Sequence, residues 1–208
     1  SNEEFPLRIE AVPSAWAAER RAEDDIGESQ TQSWQLVYVR AGAVEERCND
    51  KRVLLRAGSI LLHQPEETFA MRSVGEIPPE VLRMDFFCSG AVMDRFRGAV
   101  FHAEPAEQHD LNWLMKEVDE LYDPPAEPGG KPIAREDVPF GARQQLAIHL
   151  ENLLIMLARR CKRARKPTLR ARRDRRQAAL GEAARAYIAQ TPTHEVRAEE
   201  VRAAVGCT

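Results

Sequence analysis

The hydrophobic period of this chain changes once, near Gly90, and that change constrains the fold more than any other feature. Up to about Cys88, apolar residues recur at every second position in short runs bounded by turn residues. The run "WQLVYVRAG", Trp34 to Gly42, sets Trp34, Leu36 and Tyr38 on one face against Val37 and Val39 on the other. Both faces are apolar, which predicts a central strand packed on both sides. The stretch "AVEERCNDKRVLLRAG" predicts a hairpin turning at Asn49-Asp50. "SILLHQPEETFAMRS" holds two further runs parted by Pro65, which has no N–H to give to a ladder. "EVLRMDFFCSG" alternates Leu82, Met84 and Phe86 against Arg83, Asp85 and Phe87. Strands of this length and spacing predict a small barrel or sandwich.

Beyond Gly90 the period is 3.6. "DLNWLMKEVDELY" places Leu111, Leu114, Met115, Val118 and Leu121 on one helical stripe. A Pro/Gly-rich connector, "DPPAEPGGKP", predicts a loop. "FGARQQLAIHLENLLIMLARRC" then carries Leu146, Leu150, Leu153, Leu154 and Leu157 on a face widened by Ile148, Ile155 and Met156. An apolar face so broad exceeds one contact surface and points to a partner helix. Leu146, Leu150, Leu153 and Leu157 are the residues expected at a homodimer face. A third helix over "QAALGEAARAYIAQ" and a short one from about Ala198, followed by Gly206, complete the chain.

Composition excludes several classes. The 208 residues are 43% apolar and 30% charged, as in a soluble globular protein, and no apolar run approaches a membrane span. No signal-peptide pattern opens the chain. Cys48, Cys88, Cys161 and Cys207 are scattered, without a C-x-x-C pair, so reduced thiols in a cytoplasmic protein are expected rather than a disulfide framework or zinc site. The net charge of −3 conceals one basic block, Arg159 to Arg176, in which eleven Lys and Arg stand against Asp174 alone. No aromatic residue interleaves it as a stacking platform, which favours a solvated linker over a nucleic-acid site.

Catalysis finds little support. No nucleophile elbow, phosphate loop or nucleotide fingerprint is present. Of the five histidines only His63 falls in a strand, and one His with loosely placed Glu66, Glu67 and Asp85 is not a metal-ligand pattern. No metal, cofactor or catalytic residue is therefore expected. Trp34, Tyr38 and His63, with Phe69 and Met84 or Phe86, could line an apolar pocket with polar tips, or could equally fill a closed core.

Taken in order, "SQTQSWQLVYVRAG", "RVLLRAGSILLHQPEETFAMRS" and the tail "ALGEAARAYIAQTPTHEVRAEEVRAAVGCT" resemble AraC-type transcription regulators. The Tyr38-Val39-Arg40-Ala41-Gly42 turn, Gly58 before a hydrophobic strand, Pro65 and Tyr187-Ile188 carry the resemblance. It implies an α+β chain: a cupin-like small β-barrel binding a small effector at residues 1–104, a helical dimerisation segment at 105–165, and at 166–208 a basic linker with part of a helix-turn-helix domain. Positions where the family often has His and Asp hold Ser29, Thr31, Phe69 and Ser59 here, so its metal site does not carry over. A sugar is a familiar effector in the family.

The tail stops in the turn of the first helix-turn-helix, before either base-reading helix. Specific DNA binding is therefore expected only of a full-length protein. The resulting reading is the effector-sensing and dimerisation portion of a regulator, binding a small molecule without catalysis and not associated with a membrane. The alternative is a stand-alone cupin acting as a small metalloenzyme or carbohydrate-binding module.

Overall fold

The computed structural model describes residues 7–19, 25–49, 51–125 and 130–164. The third and terminal helices of the sequence reading, the basic linker beyond residue 164 and the helix-turn-helix segment lie outside the described residues. The chain divides into two compact units, Ser1–Cys161 and Lys162–Thr208. All that follows concerns the first.

Eight strands come first: β1 Arg8–Glu19, β2 Ile26–Gln30, β3 Trp34–Ala41, β4 Ala43–Cys48, β5 Lys51–Arg56, β6 Ser59–His63, β7 Thr68–Ser73 and β8 Glu80–Ser89. A 3-10 turn at Ala91–Phe96 and β9 Val100–His102 lead into helix α1, Pro105–Leu121. A two-strand ribbon, β10 Tyr122–Asp123 with β11 Ile133–Ala134, connects α1 to helix α2, Ala142–Ala164. The period change near Gly90 thus marks the passage from strands to helices. The hairpin expected at Asn49-Asp50 joins β4 to β5, with Cys48 paired to Lys51. Pro65 falls in the turn between β6 and β7.

The strands form two antiparallel sheets, ordered β1-β8-β3-β6-β9 and β2-β7-β4-β5. The result is a mostly β fold in which the expected barrel is not closed. Closure needs hydrogen-bonded pairing around the whole circuit, and among the described residues the two sheets keep separate ladders. The β5 edge presents exposed Lys51, Arg52 and Arg56, charges that discourage a further strand from pairing there.

Two glycines make the strand turns possible. Gly42, between β3 and β4, has φ +68, and a Cβ there would come 2.7 Å from Pro79 Cα. Gly58, between β5 and β6, has φ +87, and its Cβ would meet the His102 ring at 2.4 Å. Both positions lie in the left-handed region, and both have backbone or ring too near for any side chain.

The helices pack on the five-stranded sheet. Leu36, Tyr38, Ile60, Leu62, Leu82, Met84 and Phe86 share one core with Leu111, Leu114 and Val118 of α1 and with the leucines of α2. Polar ties fix the arrangement: the Ile9 N–H donates to Glu151 Oε1 at 2.8 Å, and Tyr122 Oη donates to the Val12 carbonyl at 2.7 Å. A second core, Trp16, Val37, Val39, Val44, Leu55, Leu61, Met71 and Val81, fills part of the space between the sheets.

The packing corrects the placement of the α2 leucines. Leu146, Leu150, Leu153 and Leu157, expected at a dimer face, are each no more than 1% exposed within the single chain. The leucine stripe of α2 is buried in the same core as the large apolar side chains of β3, β6 and β8. What α2 turns to solvent includes Ile148, Asn152 and Arg159.

Candidate ligand site between the sheets

Alternation along β3 decides which side chains face which core. Trp34, Leu36 and Tyr38 turn toward the helices, while Val37 and Val39 turn toward the opposite sheet. Gln35 shares the inner face by its place in the two-residue period. On β8 the same rule sends Leu82, Met84 and Phe86 to the helices and Val81, Arg83 and Asp85 inward. The polar face of β8 is therefore the inner face of the sandwich.

The inner space is apolar at one end and polar at the other. Across the five-stranded sheet, Asp85, Gln35 and His63 stand opposite one another in register. From the facing sheet β4 contributes Glu46 and Cys48, with Val44 beside them on the same face. Gln35 Nε2 donates to Asp85 Oδ1 at 2.6 Å, and Arg83 Nη2 donates to Gln35 Oε1. The Arg83 guanidinium also lies over the Phe69 ring, 4.7 Å from its centroid. His63 Nδ1 is 3.3 Å from Glu67 Oε2 and 3.8 Å from Cys48 Sγ. On the other side of the imidazole, Nε2 is 3.6 Å from Glu46 Oε2. Phe69 stacks on the His63 ring at 4.7 Å and holds its orientation.

Burial gives this array its character. His63 and Glu46 have no exposed surface, and Arg83 is 4% exposed. Burial pushes the His63 pKa down, but Cys48, Glu46 and Glu67 outweigh it and hold the imidazole up at about 10. The hydrogen bond from His63 holds the Glu67 carboxyl below its usual range. Desolvation raises Asp85 and lowers Arg83. Both Glu46 carboxylate oxygens, His63 Nε2 and Arg83 Nη1 are buried without a hydrogen-bond partner. An unmet buried polar atom costs about 1–3 kcal/mol, so four in one place mark a site built to receive polar groups.

The structure separates the three residues expected to line a pocket. His63 is inside the sandwich, stacked on Phe69, whereas Trp34 and Tyr38 are buried on the opposite side of β3 under the helices. The sequence reading did not single out Gln35, Glu46 and Arg83 as site residues. One signal was present for Glu46: it falls between Val44 and Cys48 on the alternating face of "AVEERC". A charge on such a face is a candidate for an interior role.

Comparison with known proteins follows the same segment. Residues 14–85 match the family model of the AraC-like ligand binding domain. No curated protein matches the chain. Among solved structures, apo ToxT from Vibrio cholerae is similar over 97% of this chain and 69% of that one, at 8% identity and TM-score 0.44. The cupin domain of Cnp3 from Schizosaccharomyces pombe matches over 44% of this chain and 70% of that one, at 12% identity and TM-score 0.33. Hydroxypropylphosphonic acid epoxidase from S. wedmorenis matches over 35% of this chain, at 15% identity and TM-score 0.30. The match spans only 41% of the epoxidase.

Proposed function

We propose, from residues 14–85 being an AraC-like ligand-binding domain, that this chain senses a small polar effector between its two sheets and binds it without chemical conversion. The observation that carries the reading is the set of unmet buried polar atoms on Glu46, His63 and Arg83. Arg83 Nη1 offers a hydrogen bond, and the Glu46 carboxylate can only accept one while ionised. A hydroxyl answers both because it donates and accepts, so a polyhydroxylated ligand of the sugar class suits the array. A purely apolar ligand would leave all of these groups unmet.

The effector would act by having different affinities for two arrangements of the regulator. The full-length protein would be a cytoplasmic homodimer whose DNA-binding domains meet two half-sites. The internal position of the four α2 leucines supports a dimer contact on the solvent side of the helices, around Ile148, which is 52% exposed.

The test is calorimetric titration with a panel of monosaccharides and small polyols, with a long-chain fatty acid as the apolar control. At least one polyhydroxy compound should bind and be recovered unchanged. Arg83→Met and Gln35→Leu should each weaken it about 10- to 100-fold, the loss of one or two buried polar contacts. Binding of the fatty acid alone, or polyol binding indifferent to Arg83, would overturn the reading.

A further inference from the structure

At the rim of the polar array three side chains of different chemistry surround one point. Cys48 ends β4, His63 ends β6, and Glu67 lies in the turn before β7. One ligand atom from each lies within 4.8 Å of the others. His63 Nδ1 stands 3.8 Å from Cys48 Sγ and 3.3 Å from Glu67 Oε2. A tetrahedral ion with bonds of about 2.0 Å to nitrogen and oxygen and about 2.3 Å to sulfur sets these edges at about 3.5 and 3.3 Å. The N–O edge already fits, the S–N edge must close by about 0.3 Å, and the Cys48–Glu67 edge, within 4.8 Å, must come to about 3.5 Å.

We propose that Cys48 Sγ, His63 Nδ1 and Glu67 Oε2 form a three-ligand site for a divalent transition-metal ion of the zinc class, with Glu46 as the positioning residue behind His63. The mixed sulfur, nitrogen and oxygen donor set suits a borderline ion and not magnesium or calcium.

Independent observations support the assignment. Glu46 is fully buried, and both of its carboxylate oxygens lack hydrogen-bond partners. It faces Nε2, the ring nitrogen not offered to the metal, at 3.6 Å. A carboxylate behind a ligating imidazole fixes its tautomer and raises its basicity. The other carboxylate is also held in place: the Gln64 N–H donates to Glu67 Oε2 at 3.2 Å, and Asn49 Nδ2 donates to Oε1 at 3.5 Å. The Asn49 backbone N–H in turn donates to the Thr68 carbonyl at 2.7 Å, tying the β4–β5 turn to the start of β7. Cys48 and Glu67 are partly exposed, which gives an ion a way in. Three protein ligands leave a fourth position for water or a bound molecule.

The site does not require the polyol reading: His63 and Glu46 serve both, but Cys48 and Glu67 take no part in polyol binding. Full-length protein, reduced and stripped with chelator, is titrated with Co²⁺ alone. One equivalent should bind with a near-ultraviolet thiolate-to-cobalt charge-transfer band, and Zn²⁺ should displace it one for one. Cys48→Ser should abolish that band, and Glu67→Gln should weaken binding at least tenfold. Glu46→Gln should keep the band but lower affinity about 10- to 100-fold, as expected for a group orienting a ligand. Circular dichroism reports folding of each variant, and Cys48→Ser decides the matter should Glu46→Gln not fold. Absence of stoichiometric Co²⁺ binding, or a thiolate band that survives Cys48→Ser, would overturn the proposal. Polyol titration in excess chelator keeps failure of this site distinct from failure of the effector reading.

Discussion

His63 concentrates the electrostatics of this protein in one side chain. It is fully buried yet faces Cys48, Glu46 and Glu67, and Asp85 belongs to the same field. With its folded pKa at about 10 against about 6.5 unfolded, the protonated ring favours the folded state. That contribution is complete below about pH 6.5 and is lost as pH rises toward 10. Glu67 has the opposite sign: its carboxyl is depressed, so its contribution holds above about pH 4.5 and fails as pH falls through the folded value. Urea denaturation of chelator-treated protein should therefore show stability falling between pH 6.5 and 9.5. In His63→Gln this slope should vanish, and an unchanged slope would remove His63 as its source. Residue chemistry here was only half legible in sequence. His63 stood out as a polar residue in a strand, but its partners come from β4 and from the turn before β7, 15 positions before it and four after.

Element by element, the main event is the competition for the apolar faces of β3 and β8. Each strand has two faces to bury, and the helices take the bulkier one. Periodicity identified both the strands and the helical stripes. It could not say that the Leu82, Met84 and Phe86 face packs against helices while Arg83 and Asp85 point between the sheets. The same packing makes the α2 leucines internal. Leu150→Asp places an unpaired carboxylate in a fully buried position and should cost several kcal/mol, with loss of cooperative thermal unfolding. Ile148→Asp, one turn face away and half exposed, should leave stability within about 1 kcal/mol. Equal destabilisation by both would mean that α2 is rotated from the position described. The Gly58 turn gives a further test: with the His102 ring where a Cβ would sit, Gly58→Ala should destabilise by about 1 kcal/mol or more.

For the whole molecule, the same pair of substitutions separates folding from assembly. Sedimentation of Ile148→Asp should show a folded monomer if the solvent side of α2 is the dimer contact, while the parent sediments as a dimer. A dimer that persists in Ile148→Asp would place the contact elsewhere. Such a test is needed because an apolar helix face reads the same in sequence whether its own sheet or a second chain covers it.

Legible in the sequence were the order of β3 to β8 and of the two helices, the change from strands to helices near Gly90, the β4–β5 hairpin, and the resemblance matched at residues 14–85; β1, β2, β9 and the β10–β11 ribbon were not. The legible features depend on local periodicity and turn chemistry, which neighbouring residues carry between them. Packing settles that the sheets remain an open pair, which face of β3 and β8 lies inside, and that Glu46, His63, Arg83 and Cys48 meet there. Sidedness in a doubly buried strand is set by what packs against each face. A two-residue period is symmetric between them, so it fixes the alternation and leaves the direction to the fold.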